Sequence, residues 1–211
     1  MPTARVAAVS RPAGLRSTAS PGGEGESAPL PSVESLAVVE VGSVPRGTVV
    51  ADGVLKMAPV RLLFAGEISP GKFLVLFGGA VGPTRASHAR GVELAGDVRV
   101  DDLLLPQLHP GVLPAIEQRV PAEDGEALGT LETETVAATI AAADRAAKAA
   151  RIRLRKIRLA QGLGGRAFVY LTGALTDVEA AVAAGRVAAG DRLRDWSIVP
   201  RLHPQAGELL L

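Results

Sequence analysis

The chain of 211 residues contains no cysteine. That excludes disulfides, thiolate metal sites, iron–sulfur ligation and cysteine nucleophiles. Aromatic residues make up only 3%: Phe64, Phe73, Phe77, Phe168, Tyr170 and Trp196. So few rings argue against a stacking platform for bases or sugars. The net charge is +1, which gives no whole-chain attraction to a polyanion such as nucleic acid. No apolar run approaches the ~20 residues of a membrane-spanning helix. The first residues lack the apolar stretch of a signal peptide, so a cytoplasmic, soluble protein is expected. No P-loop and no Gly-x-Gly-x-x-Gly fingerprint follows a strand, and neither a Ser/His/Asp set nor a carboxylate pair stands out. Neither catalytic residues nor a cofactor are expected.

What is present is an apolar fraction of 47%, enough for a sizeable core, with 24 glycines and 15 prolines. Residues 1–33 differ from the rest. They hold Pro2, Pro12, Pro21, Pro29 and Pro31, several Ser and Gly, and no apolar periodicity. Such a stretch cannot bury enough side chain to offset its ordering entropy, so it reads as a flexible extension. Val6-Ala-Ala-Val9 is its one candidate anchor.

The most informative feature is an internal repeat. A shift of 92 carries Glu40 onto Glu132, Asp52 onto Asp144 and Lys56 onto Lys148. After a loop two residues longer in the second copy, a shift of 94 carries Gly79 onto Gly173. The same shift carries Leu105-Pro-Gln-Leu-His-Pro110 onto Val199-Pro-Arg-Leu-His-Pro204. The first domain is placed at 34–116 and the second at 126–211. The polar segment 117–125 between them reads as a linker.

Each copy carries the same pattern of elements. Short apolar strands open it, Leu36–Val41 and Leu128–Glu132. Helices follow over Gly47–Met57 and Thr135–Ala149, the second N-capped by Thr135, with Val136, Ile140, Ala143 and Ala147 in one stripe. Alternating strands come next, Arg61–Glu67 and Ile152–Leu159. A Gly/Pro-rich loop leads to third strands at Lys72–Phe77 and Arg166–Thr172. Second helices span about 81–96 and 174–190, and fourth strands about 98–105 and 194–199. The order β-α-β-β-α-β, twice, predicts an α+β protein of two ferredoxin-like domains. In the basic run Arg151–Arg158, Arg151, Arg153 and Arg155 alternate with Ile152 and Leu154, as in a strand with one solvated face.

Ala127-Leu-Gly-Thr-Leu-Glu-Thr133, Ala143-Asp-Arg-Ala-Ala-Lys-Ala-Ala150, Gly162-Leu-Gly-Gly165 and Val199-Pro-Arg-Leu-His-Pro204 resemble motifs of the bacterial microcompartment shell domain. The first copy matches more loosely, through Glu40, Asp52-Gly-Val-Leu-Lys56, Ser69-Pro-Gly71 and Pro106-Gln-Leu-His-Pro110. A chain with two such domains is similar to the tandem-domain class. The resemblance implies a homotrimer that mimics a hexamer, tiles into a polyhedral shell and leaves a pore on its axis. It also implies contact with other shell proteins, both single-domain hexamers and pentameric vertices, and with encapsulated cargo enzymes. Neither nucleic acid nor membrane is implied as a partner.

Candidate sites follow from combining both readings. Ser69, Pro70, Gly71 and Lys72, with Gly162, Leu163, Gly164 and Gly165, would line the pore. Glycine suits an aperture crowded by six backbones, and Lys72 and Arg166 would favour polar or anionic metabolites. Without the resemblance, such loops read as plain hairpin turns. Asp52, Lys56, Asp144 and Lys148 are spaced as helical i,i+4 ion pairs. The resemblance places the lysines at the tile edge, with Arg201 as the edge arginine, while Gln107 stands at the first copy's equivalent position. His109 and His203 are expected as surface or interface residues, because no ligand cluster accompanies either. An iron–sulfur cluster in the pore, known for some relatives, is at odds with the absence of cysteine. A competing reading is a soluble ligand-binding or regulatory module on a duplicated ferredoxin-like fold.

Overall fold

The computed structural model describes residues 32–118 and 127–211. Apart from Ser32, Val33, Glu117 and Gln118, the proposed extension and linker lie outside the described residues. The first half contains β1 (Ser35–Val41), α1 (Val44–Met57), β2 (Arg61–Ile68), β3 (Lys72–Gly79), α2 (Val81–Ala95) and β4 (Arg99–Leu105). A short α3 (Val112–Ile116) follows. The second half repeats the order with β5 (Ala127–Thr133), α4 (Val136–Ala149), β6 (Arg153–Arg158), β7 (Ala167–Gly173), α5 (Leu175–Ala189) and β8 (Leu193–Val199). It ends in α6 (Pro204–Leu210). Each half is one antiparallel four-stranded sheet, ordered β2-β3-β1-β4 and β6-β7-β5-β8. That is the ferredoxin-like order expected.

Strand register verifies the repeat residue by residue. Leu36 pairs with Gly78 and Leu105, and Leu128 pairs with Thr172 and Val199. Irregularities recur at equivalent places, between Leu62 and Phe64 and between Leu154 and Lys156. The second corrects one expectation. Arg155 is the extra residue of the bulge and is buried, so the solvated alternation ends at Arg153.

Helix α1 begins at Val44, three residues earlier than expected. The Ser43 hydroxyl caps it by accepting from Arg46 N at 3.4 Å, and Pro45 sits in the first turn, where a missing N–H costs nothing within the helix. Thr135 caps α4 as expected, accepting from Ala138 N at 3.2 Å. Helices α3 and α6 were not expected. They follow β4 and β8 at equivalent positions.

The two halves are not buried alike. Val39, Val41, Val50, Val54, Phe73, Val75 and Phe77 form a core between the first sheet and its own helices. Gly47 belongs to this face of α1, since a Cβ there would lie 2.2 Å from Phe73. The opposite face of the first sheet, Leu36, Val38, Leu74 and Leu76, joins a second cluster. It contains α4 and most of the second half's core. The first sheet is therefore covered on both sides, the second time by the other domain. Helix α4 is buried at ten positions and α1 at only three, Gly47, Val50 and Val54. The alanines of α4 allow this close double contact. The stripe Val136, Ile140, Ala143 and Ala147 is thus matched on α1 by Val44, Thr48, Ala51 and Leu55. Of those four, all but the half-buried Ala51 are exposed.

Candidate functional site

Three groups of candidate residues are organised by the seam between the domains. At its centre lies Glu40, fully buried in β1. Its Oε1 accepts from Ala137 N, in the first turn of α4, at 2.8 Å. A carboxylate at a helix N-terminus meets otherwise unpaired N–H groups and a favourable dipole. Lys72 Nζ is 3.8 Å from the other carboxylate oxygen and also donates to the Glu134 carbonyl at 3.2 Å. Burial nevertheless dominates and raises the Glu40 pKa from 4.5 to about 7, with the Ala137 N–H and Lys72 pulling it down. In the sequence Glu40 stands out as a repeat marker and a motif match, not as a buried seam residue. The signal available was an acid inside the apolar run Leu36–Val41.

Further polar bonds close the same seam. Thr135 Oγ1 donates to Asp101 Oδ2 at 2.5 Å. Arg192 donates to the Val100 carbonyl at 3.2 Å and has Asp101 at 4.0 Å. Toward the outer end, Asp144 Oδ1 accepts from His109 N at 2.8 Å, and its Oδ2 pairs with Lys148 at 2.6 Å. Lys148 also donates to the Gln107 carbonyl. His109 Nδ1 in turn accepts from Gly111 N at 3.1 Å. Three edge candidates, Asp144, Lys148 and His109, thus converge with Gln107, two of them from the second domain and two from the first.

The other edge set is not brought together within one chain. Asp52 and Lys56 form an exposed ion pair at 2.6 Å on α1. Arg201 and His203 stand exposed beyond β8. By the repeat they are the counterparts of the converged set.

The two glycine-rich loops lie side by side. Gly162 N donates to Ser69 Oγ at 3.3 Å, and a Cβ on Gly165 would lie 2.8 Å from Pro70 Cδ. Gly71, Gly162, Gly164 and Gly165 all have positive φ, between 61° and 87°, a backbone conformation that favours glycine. Leu163 is half-buried between them, and its carbonyl accepts from Arg166 N at 3.2 Å. Lys72 adjoins the loops, but its ammonium is directed into the seam at Glu40 and Glu134 rather than offered to an aperture. Arg166, its counterpart, is half exposed and 3.5 Å from Glu132. Among the described residues, no group of three His, Cys, Asp or Glu side chains could hold a metal ion.

One further pair escaped the sequence. His88 Nε2 lies 3.0 Å from Asp102 Oδ2, between α2 and β4. Burial lowers its pKa despite that carboxylate. In the second domain Val182 and Trp196 occupy these positions, and Trp196 stacks under Arg186 at 4.2 Å. No helix among the described residues is long and apolar enough to cross a membrane.

Comparison with known proteins agrees with this geometry. The BMC domain model matches twice, at residues 35–107 and 127–202, one match on each sheet. The chain is 40% identical to the bacterial microcompartment shell protein PduT of Citrobacter freundii over 172 residues, 81% of this chain and 94% of that one. A solved microcompartment protein from Desulfitobacterium hafniense is 41% identical, with a TM-score of 0.76, covering 84% of this chain and 99% of that one. The fused permuted hexameric shell protein of the RMM microcompartment is 25% identical with a TM-score of 0.56, covering 74% and 83%. The chain therefore belongs to the bacterial microcompartment domain family, as a shell protein with two such domains in tandem.

Proposed function

We propose that three copies close into a ring of six domains, and that the ring is a tile of the shell facet with a narrow pore on its axis. The observation that carries this reading is the unmatched half of the seam. The second sheet leaves Glu132, Phe168, Tyr170, Asp195, Ser197 and Val199 wholly or partly exposed on one face. These are the repeat counterparts of Glu40, Leu74, Leu76, Asp101, Leu103 and Leu105 of the first sheet, the face that α4 covers. The exposed face of α1 is the counterpart of the α4 face that does the covering. A head-to-tail contact of α1 from one chain on the second sheet of the next can repeat until the ring closes.

The same contact brings Asp52 and Lys56 beside Arg201 and His203 of the next chain. Six similar edges then surround the tile, three inside chains and three between them. Individually weak edge contacts, repeated six times, suffice to hold a sheet by multivalency.

Ser69, Pro70, Gly71 and Gly162–Gly165 gather near the axis in such a ring. Their backbone N–H groups favour small polar or anionic solutes. The role is structural rather than catalytic, and the other partners are neighbouring shell tiles and enclosed enzymes. A soluble ligand-binding module is not favoured, because PduT, matched over 94% of its length, is named a shell protein. Native mass spectrometry tests the reading. Chains of 21.6 kDa are expected to be found in threes, and a monomer at every concentration would refute it.

A further inference from the structure

The repeat allows the seam between chains to be read position by position from the seam within the chain. This inference rests on the ring proposed above. The two seams are not chemically equal. Within the chain, Glu40 accepts the N–H of Ala137. At the junction between chains, Glu132 takes the place of Glu40 and Pro45 takes the place of Ala137. Proline has no N–H to give. Arg192, which reaches the Val100 carbonyl and Asp101, is replaced at its equivalent by Val98.

The apolar centre differs in the same sense. Val38 and Ile140 belong to the buried cluster that crosses the domain boundary, and Leu103 packs against it. Their counterparts are Thr130, Thr48 and Ser197. Three aliphatic side chains become three hydroxyl-bearing ones. Some contacts are conserved: Ser43 can donate to Asp195 as Thr135 does to Asp101, and Asp52 can accept from His203 N as Asp144 does from His109. Phe168 and Tyr170, with ring centroids 4.8 Å apart, replace Leu74 and Leu76 and add area. What remains is a wetter, hydroxyl-lined contact, like that of partners that associate and part.

We infer that the ring has two classes of seam, a permanent one within each chain and a reversible one between chains, set chiefly by Pro45 opposite Glu132 and by Val98 in place of an arginine. Shell tiles would then assemble, exchange and repair by whole chains parting at alternate seams, while the paired domains stay docked. A soluble ring in equilibrium with single chains would supply the growing sheet.

Subunit exchange between differently tagged full-length chains, followed by native mass spectrometry, tests this. Pro45→Ala restores a donor opposite Glu132. A hydrogen bond to the Glu132 carboxyl is worth enough to slow exchange several-fold, up to about tenfold. Pro45→Ala made on a Glu132→Ala background should have no such effect, since the acceptor is gone. The melting temperature of the dilute single chain serves as a control, because Pro45→Ala also alters the first turn of α1. Exchange as fast in Pro45→Ala as in the wild type would overturn the inference while leaving the ring intact. The same result follows if the slowing persists without Glu132. Absence of any three-chain species would instead refute the ring itself.

Discussion

Glu40→Gln is the most informative change to the buried seam. The carboxyl is fully buried, and its pKa stands at about 7 against 4.5 when exposed. The folded chain therefore keeps this proton up to about pH 7, whereas the unfolded chain releases it near 4.5. Between those values the folded state binds more protons, so stability falls as pH rises. At 1.36 kcal/mol per pH unit the loss is about 3 kcal/mol between pH 4.5 and 7. Glutamine keeps an acceptor for the Ala137 N–H and removes the ionisation. The variant should match the wild type at pH 4.5 and exceed it at pH 8 by about 3 kcal/mol, roughly 6–12 °C in Tm for a chain of this size. Both proteins are melted at one fixed concentration across the pH range, because assembly itself raises Tm. Taking the difference cancels other titrating groups, including His88. A difference that does not change with pH would refute the reasoning, since it would mean that burial does not hold the proton on Glu40.

Other perturbations separate seam, edge and loop. Lys148→Asp sets a second carboxylate beside the buried one of Asp144, so it should cost the single chain about 2–3 kcal/mol, and it should abolish ordered sheets in negative-stain images while three-chain rings persist. Asp144→Ala removes a buried acceptor of both His109 N and Lys148 and should cost about 2–3 kcal/mol in urea denaturation. Asp52→Ala, whose side chain is 61% exposed against 6% for Asp144, should leave the single chain within ~0.5 kcal/mol and weaken only the ring. Gly165→Ala should lower Tm more than Gly164→Ala. Both have positive φ, costing about 1–2 kcal/mol, but only the Gly165 Cβ would also press on Pro70 and the Ser69 carbonyl.

The repeat made most of the fold legible. Because the copies share one pairing scheme, a shift of 92 and then 94 predicted which residues would be equivalent in both sheets. The strands and four main helices followed from apolar alternation and helical spacing. Glycine-rich loops and i,i+4 Asp–Lys pairs carried the candidate site. What escaped depends on tertiary partners. The stripe Val136–Ala147 shows that α4 has an apolar face, but the helix is buried on both faces, and only packing tells which domain each one meets. Arg155 looked solvated because a bulge cannot be read from alternation. The five-residue α3, with Pro114 inside it, has too few residues to show a period. Glu40 and the His88–Asp102 pair are joined across elements, where spacing in the chain carries no information.

The central claim is that the surfaces left open at the two ends of one chain join in a ring. Averaged projection images of sheets grown from the purified chain test it most directly. The account predicts hexagonally packed, six-lobed tiles with a three-fold-symmetric central hole lined by alternating short and long loops. Isolated two-lobed particles at all concentrations, or sheets whose tile is not a three-chain ring, would contradict it.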